Sequence, residues 1–229
     1  KANGVTIFQT ADLQRIVKRP DHLEVVLDFA DGRSEVVEVD TVLVSIGRTP
    51  NIETLNLDAI GIAPNERGVL QTDENCCVTG GIYACGDVTH HPNLVNLAEM
   101  EGRFAVKHMY GFAHHPLNYD NMSTVMFFRP AVAAVGLNEK GCRRRAIPYR
   151  VASYGNALVS RAIAMRATDG FSKILVSDDD QQRLLGMRAA GPMASNNIMT
   201  IALLMDHAPN LIDALKTVHP HPTMSEGIQ

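Results

Sequence analysis

No run of apolar residues in this 229-residue chain approaches the roughly 18 needed to cross a membrane. Its opening, Lys1-Ala2-Asn3-Gly4, lacks the apolar core of a signal peptide. Positive charge is not in excess: 21 Lys and Arg stand against 25 Asp and Glu, for a net charge of −4, with no long basic stretch. Neither a nucleic acid nor an anionic membrane surface is therefore expected as a partner. Cysteine is scarce, and Cys76, Cys77, Cys85 and Cys142 form neither a paired-disulfide framework nor a Cys-x-x-Cys metal spacing. Cytosolic thiols, a cytoplasmic location and no metal site are the expectation. Internal repeats and low-complexity tracts are also missing.

What is present is a chain 45% hydrophobic and 20% charged, the balance of a globular protein. At roughly 100–200 residues per domain it amounts to one large domain or two small ones. Lys1 to Ile7 reads as a helix end at Asn3-Gly4 running straight into a strand. A domain seldom starts on a helix terminus, so the chain reads as a piece of something larger. Residues 23–29 and 34–39 are alternating runs joined by Asp31-Gly32, an antiparallel hairpin. Residues 41–47 are almost continuously apolar, the pattern of a strand buried on both faces, and end in the turn residues Gly47-Arg48-Thr49-Pro50-Asn51.

Residues 51–80, rich in Asn, Asp, Gly and Pro, read as a surface connection. Residues 81–88 read as a short buried strand ending in Gly86-Asp87, and 94–110 as a helix closed by Gly111. Beyond Met122, strands are predicted at 124–128, 132–137, 149–154, 162–166, 171–176 and 184–189, with helices at 138–144, 194–205 and 210–217. Short turns such as Asp178-Asp179-Asp180 make this half α+β, with a mainly antiparallel sheet.

Three separated motifs stand in one order: Ser45-Ile46-Gly47-Arg48-Thr49-Pro50-Asn51, Gly81-Ile82-Tyr83-Ala84-Cys85-Gly86-Asp87-Val88, and His219-Pro220-His221-Pro222-Thr223-Met224-Ser225-Glu226. Over essentially its whole length the chain resembles the C-terminal half of the flavin-dependent pyridine nucleotide-disulfide oxidoreductases, most closely their lipoamide dehydrogenase group. The resemblance implies a fold class of α/β and α+β. Residues 1–50 would be the C-terminal part of an NAD(P)-binding domain, 51–117 the second segment of an FAD-binding domain, and 118–229 a dimerisation domain. Both Gly-x-Gly-x-x-Gly loops and the Cys-x-x-x-x-Cys redox pair of the family are missing. The chain is accordingly expected to be a fragment that does not turn over by itself.

The resemblance also implies site residues. Asp87, after Gly86, would accept hydrogen bonds from the flavin ribityl chain, a task for a strong acceptor on a rigid strand end. A plain turn Asp is the alternative from spacing alone. Asn93, Leu94, Val95 and Asn96 align with the helix start whose backbone N–H groups face the flavin C2 carbonyl. A helix N-terminus there favours the negative charge of reduced flavin. Only the Leu matches the Met-Leu-Ala-His usual in lipoamide dehydrogenases. Gly47 would lie against the nicotinamide nucleotide, where a side chain would obstruct approach, or be a simple turn glycine.

His221 and Glu226 would be the catalytic pair, reaching across a homodimer to the partner's flavin and cysteines. Thiol–disulfide exchange needs a base that removes a thiol proton and then, as imidazolium, steadies the thiolate. A carboxylate on the other ring nitrogen fixes the tautomer. Thr223-Met224-Ser225-Glu226 also fits a helix capping box. His90, His91, His114 and His115 read as loop residues, and adjacent Cys76 and Cys77 as free thiols. The function expected from the resemblance is electron transfer between a dithiol or disulfide substrate and NAD(P) through FAD, in a homodimer, with a 2-oxo acid dehydrogenase complex as a further partner. A glutathione-reductase-like or other disulfide reductase and a non-catalytic dimerisation fragment are the alternatives. Pro220, where lipoamide dehydrogenases usually have Ala, leaves the substrate open.

Overall fold

The structure, a computed structural model, describes residues 4–113, 115–207 and 210–228. Its internal contacts separate two units, Lys1–Pro50 and Asn51–Gln229. The first unit is a three-stranded antiparallel sheet in the order β1 (Ala11–Lys18), β2 (Leu23–Phe29), β3 (Ser34–Val39). The β2–β3 hairpin forms as predicted, with Gly32 at φ +84° returning its N–H to the Phe29 carbonyl at 2.9 Å. β1 was not legible in the sequence, because a bulge between Leu13 and Arg15 breaks its two-residue period.

Two predicted strands of this unit do not form. Asn3 lies outside the described residues, and residues 5–7 are irregular and exposed. Residues 41–47 are likewise irregular, with Leu43 90% and Ile46 83% exposed. A doubly buried strand needs ladder partners and cover on both faces. The three-stranded sheet offers this segment neither.

In the second unit, residues 51–80 are more than a connection. They form 3₁₀ turns at Glu53–Leu55 and Leu57–Ile60 and bury Ile52, Ile62 and Leu70 in a small core of their own. β4 (Cys77–Thr79) pairs with β5 (Ile82–Tyr83), so the predicted buried strand at 81–88 shrinks to two residues followed by a 3₁₀ turn, Gly86–Val88. α1 (Val95–Met109) buries Leu97, Glu101, Phe104 and Ala105 on one stripe and is closed by Gly111 at φ +67°.

The remaining elements are β6 (Thr124–Met126), β7 (Val132–Gly136), α2 (Glu139–Arg144), β8 (Tyr149–Gly155), α3 (Ser160–Ala164), β9 (Phe171–Ser177), β10 (Leu184–Ala190), α4 (Ala194–Asp206) and α5 (Leu211–Lys216). The five strands make one antiparallel sheet in the order β6-β7-β10-β9-β8. α4 covers it, packing Ile198, Ile201 and Ala202 against Val135, Met187 and Ala189. Local chemistry starts two helices: the Asn138 side chain accepts from the Gly141 N–H, and Asn210 with Asp213 forms a full capping box.

Residues 162–166, predicted as a strand, lie mostly in α3. Burial of Ala162 between exposed neighbours imitates two-residue alternation, but Ala162 and Ala164 favour a helix. No described helix is long and apolar enough to cross a membrane.

Candidate active site

The chain's last turn carries the histidine and its carboxylate. Residues Met224–Ile228 form a 3₁₀ turn anchored on both sides of Glu226. Met224 is buried with Val159 and Ala162 of the α3 region, and Ile228 joins the main core. Between these anchors Glu226 is held 24% exposed, while His221 stands 69% exposed. Oε1 of Glu226 lies 2.6 Å from Nδ1 of His221. A carboxylate only accepts, so Nδ1 carries the proton and Nε2 is the ring nitrogen left to serve as a base. Oε2 accepts the Thr223 N–H at 2.9 Å, while the Thr223 hydroxyl donates to the Pro220 carbonyl at 2.7 Å.

Glu226 makes both contacts, to the His221 ring and to the Thr223 N–H. One oxygen orients the imidazole and the other makes the carboxylate half of a cap. These bonds, from His221 first and then the Thr223 N–H, hold the Glu226 carboxyl below its ordinary pKa. His219, two residues earlier, has Nε2 shielded from solvent with no hydrogen-bond partner among the described residues.

A second group gathers around Gly86. Its φ is +73°, and a Cβ there would stand 3.0 Å from the Ala98 Cβ, so the 3₁₀ turn lies directly on the first turns of α1. The Gly86 carbonyl accepts from both the Thr89 N–H and the Thr89 hydroxyl, each at 2.9 Å. Asp87 is exposed beyond this fixed point. At the start of α1, Asn93, Val95 and Asn96 are exposed, and the N-cap Leu94 makes no side-chain cap. Among the described residues no N-cap side chain meets its opening N–H groups. The structure therefore brings Gly86, Asp87 and the residues 93–96 into one neighbourhood, and His221 with Glu226 into another. Gly47, at φ +111° in an exposed loop, belongs to the first unit.

Sequence reasoning passed over Glu101 and Tyr119. Glu101 is completely buried, its Oε2 accepting the Gly86 N–H at 2.7 Å and its Oε1 accepting the Tyr119 hydroxyl at 3.0 Å. A signal was available: Glu101 sits four residues from both Leu97 and Ala105, a carboxylate inside an apolar helical stripe. Burial, reinforced by Glu101, pushes the Cys76 thiol up to about 11, which keeps it protonated at neutral pH. All four cysteines are free. His91 stacks on Tyr119 with centroids 3.9 Å apart, and burial lowers its pKa. His114 lies outside the described residues, among which no three-residue metal cluster occurs.

Family models match nearly the whole chain. One, described as pyridine nucleotide-disulphide oxidoreductase, matches residues 1–102. Another, the dimerisation domain of the same family, matches residues 122–229. Among curated relatives, dihydrolipoyl dehydrogenase of Bacillus subtilis is 31% identical over 99% of this chain and 48% of its own length. That of Geobacillus stearothermophilus is 32% identical, with the same two coverages. LpdA from Mycobacterium tuberculosis superposes with a TM-score of 0.90 at 27% identity, over 99% of this chain and 49% of LpdA. The HOCl-induced flavoprotein disulfide reductase RclA from Escherichia coli gives a TM-score of 0.85 at 26% identity, over 99% of this chain and 51% of RclA. The chain spans about half the length of these relatives.

Proposed function

The chain belongs to the pyridine nucleotide-disulphide oxidoreductase family, and from that premise we propose that it is the C-terminal half of an enzyme passing electrons between a dithiol or disulfide and NAD(P) through FAD. Dihydrolipoamide is the favoured substrate. We assign residues 1–50 to the nucleotide domain, 51–117 to the FAD domain and 118–229 to the dimerisation domain. The observation that carries the reading is the 2.6 Å contact between His221 Nδ1 and Glu226 Oε1, with the imidazole otherwise in solvent.

In the proposed half-reaction, Nε2 of His221 takes the proton from one substrate thiol. The resulting thiolate attacks the enzyme's redox disulfide, which lies outside this chain. The second substrate thiol then closes the substrate disulfide and releases the enzyme dithiol. Glu226 keeps Nδ1–H in place and favours the imidazolium while the thiolate persists. Bound FAD would supply the two-electron redox chemistry that links such a dithiol to NAD(P). Its flavin end is supported by Asp87, exposed on a turn that packs against α1, and by the start of α1, where Leu94 makes no side-chain cap. Gly47 would lie against the nicotinamide nucleotide.

We further infer a homodimer in which this pair serves the partner's flavin, a cytoplasmic location, and association with a 2-oxo acid dehydrogenase complex. The likeness to RclA and the Pro220 between the two histidines favour, as a second reading, a reductase for another disulfide. Assaying the flavin-loaded enzyme with dihydrolipoamide and NAD, against glutathione disulfide and other disulfides with NADPH, separates the two. Turnover of dihydrolipoamide at least tenfold above the other substrates is expected. Activity with none of them overturns the proposal.

A further inference from the structure

Resting on the reading that Asp87 and the start of α1 receive the flavin, we propose that Glu101 is the positioning residue that locks these two elements into one arrangement and thereby sets flavin affinity and the bound flavin's spectrum. Glu101 is buried to zero exposure on the helix whose own N-terminus belongs to the candidate flavin surface. A carboxylate out of water is tolerated only when its oxygens are satisfied. Oε2 receives the Gly86 N–H, immediately before Asp87, and Oε1 receives the Tyr119 hydroxyl.

The Gly86–Asp87 turn is thus held at both ends, its N–H by Glu101 and its Gly86 carbonyl by buried Thr89. Tyr119 extends the network, since its ring lies flat on His91 at 9° between planes, in the loop joining Asp87 to α1. Burial first, then Glu101, raises the Tyr119 hydroxyl far above its ordinary value, so it remains a donor throughout the working pH range. Turn, connecting loop and helix start are all tied to one buried carboxylate. Displacing it frees the acceptor at Asp87 and the N–H groups of α1 to move independently, and a flavin held by both is sensitive to that register.

The test compares wild type with Glu101→Gln, Tyr119→Phe and Asp87→Ala in the flavin-loaded full-length enzyme. The readouts are the FAD dissociation constant from titrating the apoprotein and the visible absorption of the flavin at saturation. Glutamine keeps one acceptor oxygen and puts an NH2 in place of the other, so either the Tyr119 bond must reverse or the Gly86 N–H loses its acceptor, and Glu101→Gln is expected to raise the dissociation constant roughly tenfold to a hundredfold and to shift the saturated spectrum. In the 229-residue chain itself the same variant should speed hydrogen exchange at the Gly86 amide.

A carboxylate that only stabilised the fold would lower the melting temperature and leave the saturated spectrum as it was. Folded Glu101→Gln with wild-type affinity and spectrum overturns the inference, while weakened binding by Asp87→Ala in the same series keeps the flavin reading intact. If wild type binds no FAD, both fall. Should Glu101→Gln not fold, Tyr119→Phe decides, because it removes one bond and keeps the ring stack. A threefold or larger rise in the constant is expected, and no change overturns the inference.

Discussion

The Glu226 carboxylate meets His221 Nδ1 at 2.6 Å from a turn whose end residues Met224 and Ile228 are buried, so the imidazole is exposed while its carboxylate partner is held in place. If the pair is catalytic as proposed, side-chain freedom already lost on folding is not lost again during the reaction. His221→Gln removes the base and keeps the size. Disulfide turnover should fall by about 10²–10⁴, the usual range for a general base. Hydride transfer between nicotinamide and flavin should stay near wild type in stopped-flow records of flavin absorbance. Equal loss in both half-reactions would contradict the assignment.

Glu226→Gln should act on both catalysis and folding, because the carboxylate serves His221 with one oxygen and the Thr223 N–H with the other. Its catalytic loss should be smaller than that of His221→Gln, since water can partly replace an orienting partner. Its folded pKa lies below the ordinary 4.5. The carboxylate's contribution is therefore complete above 4.5 and disappears as pH falls through the folded value. Acid denaturation of Glu226→Gln, followed by circular dichroism, should show a shallower loss of stability below 4.5 than wild type. Identical acid limbs would refute this.

Gly170 precedes β9 at φ +121°, and a Cβ there would come within 2.0 Å of the Ala190 carbonyl oxygen. Backbone on backbone cannot yield as a flexible side chain does. Gly170→Ala should cost about 3 kcal/mol or more in urea unfolding. A variant within about 1 kcal/mol of wild type would show that the ends of these two interior strands relax easily.

Ile198, Ile201 and Ala202 of α4 are buried against the chain's own sheet, with Leu204 and Met205 partly buried beside them, so these residues supply no partner surface. The exposed apolar residues of α4 and α5 are Met199, Leu203, Ile212 and Leu215. If they meet a second copy, the full-length enzyme should sediment as a dimer at micromolar concentration, and Leu203→Glu should shift it toward monomer. A monomeric wild type would exclude the isologous interface.

The 229-residue chain should bind FAD weakly, because no glycine-rich loop is present to hold the pyrophosphate while Asp87 and α1 address only the flavin end. A purified chain carrying stoichiometric yellow flavin would overturn this.

Periodicity alone determined the hairpin 23–39, the long helices α1 and α4, and four of the five sheet strands nearly to the residue, because each has one face buried within its own neighbourhood. The candidate catalytic pair was legible through its motif, since His221 and Glu226 meet across a single local turn. Only the tertiary structure could decide the rest. The apolar run 41–47 is the same string whether or not ladder partners flank it, and among the described residues it has none. The helical stripe of Leu97 and Ala105 puts Glu101 on the buried face, but which groups meet its two oxygens, Gly86 15 residues before it and Tyr119 18 after, is set by the tertiary fold. The partners that satisfy a buried polar group depend on what folds against it, and no local pattern names them.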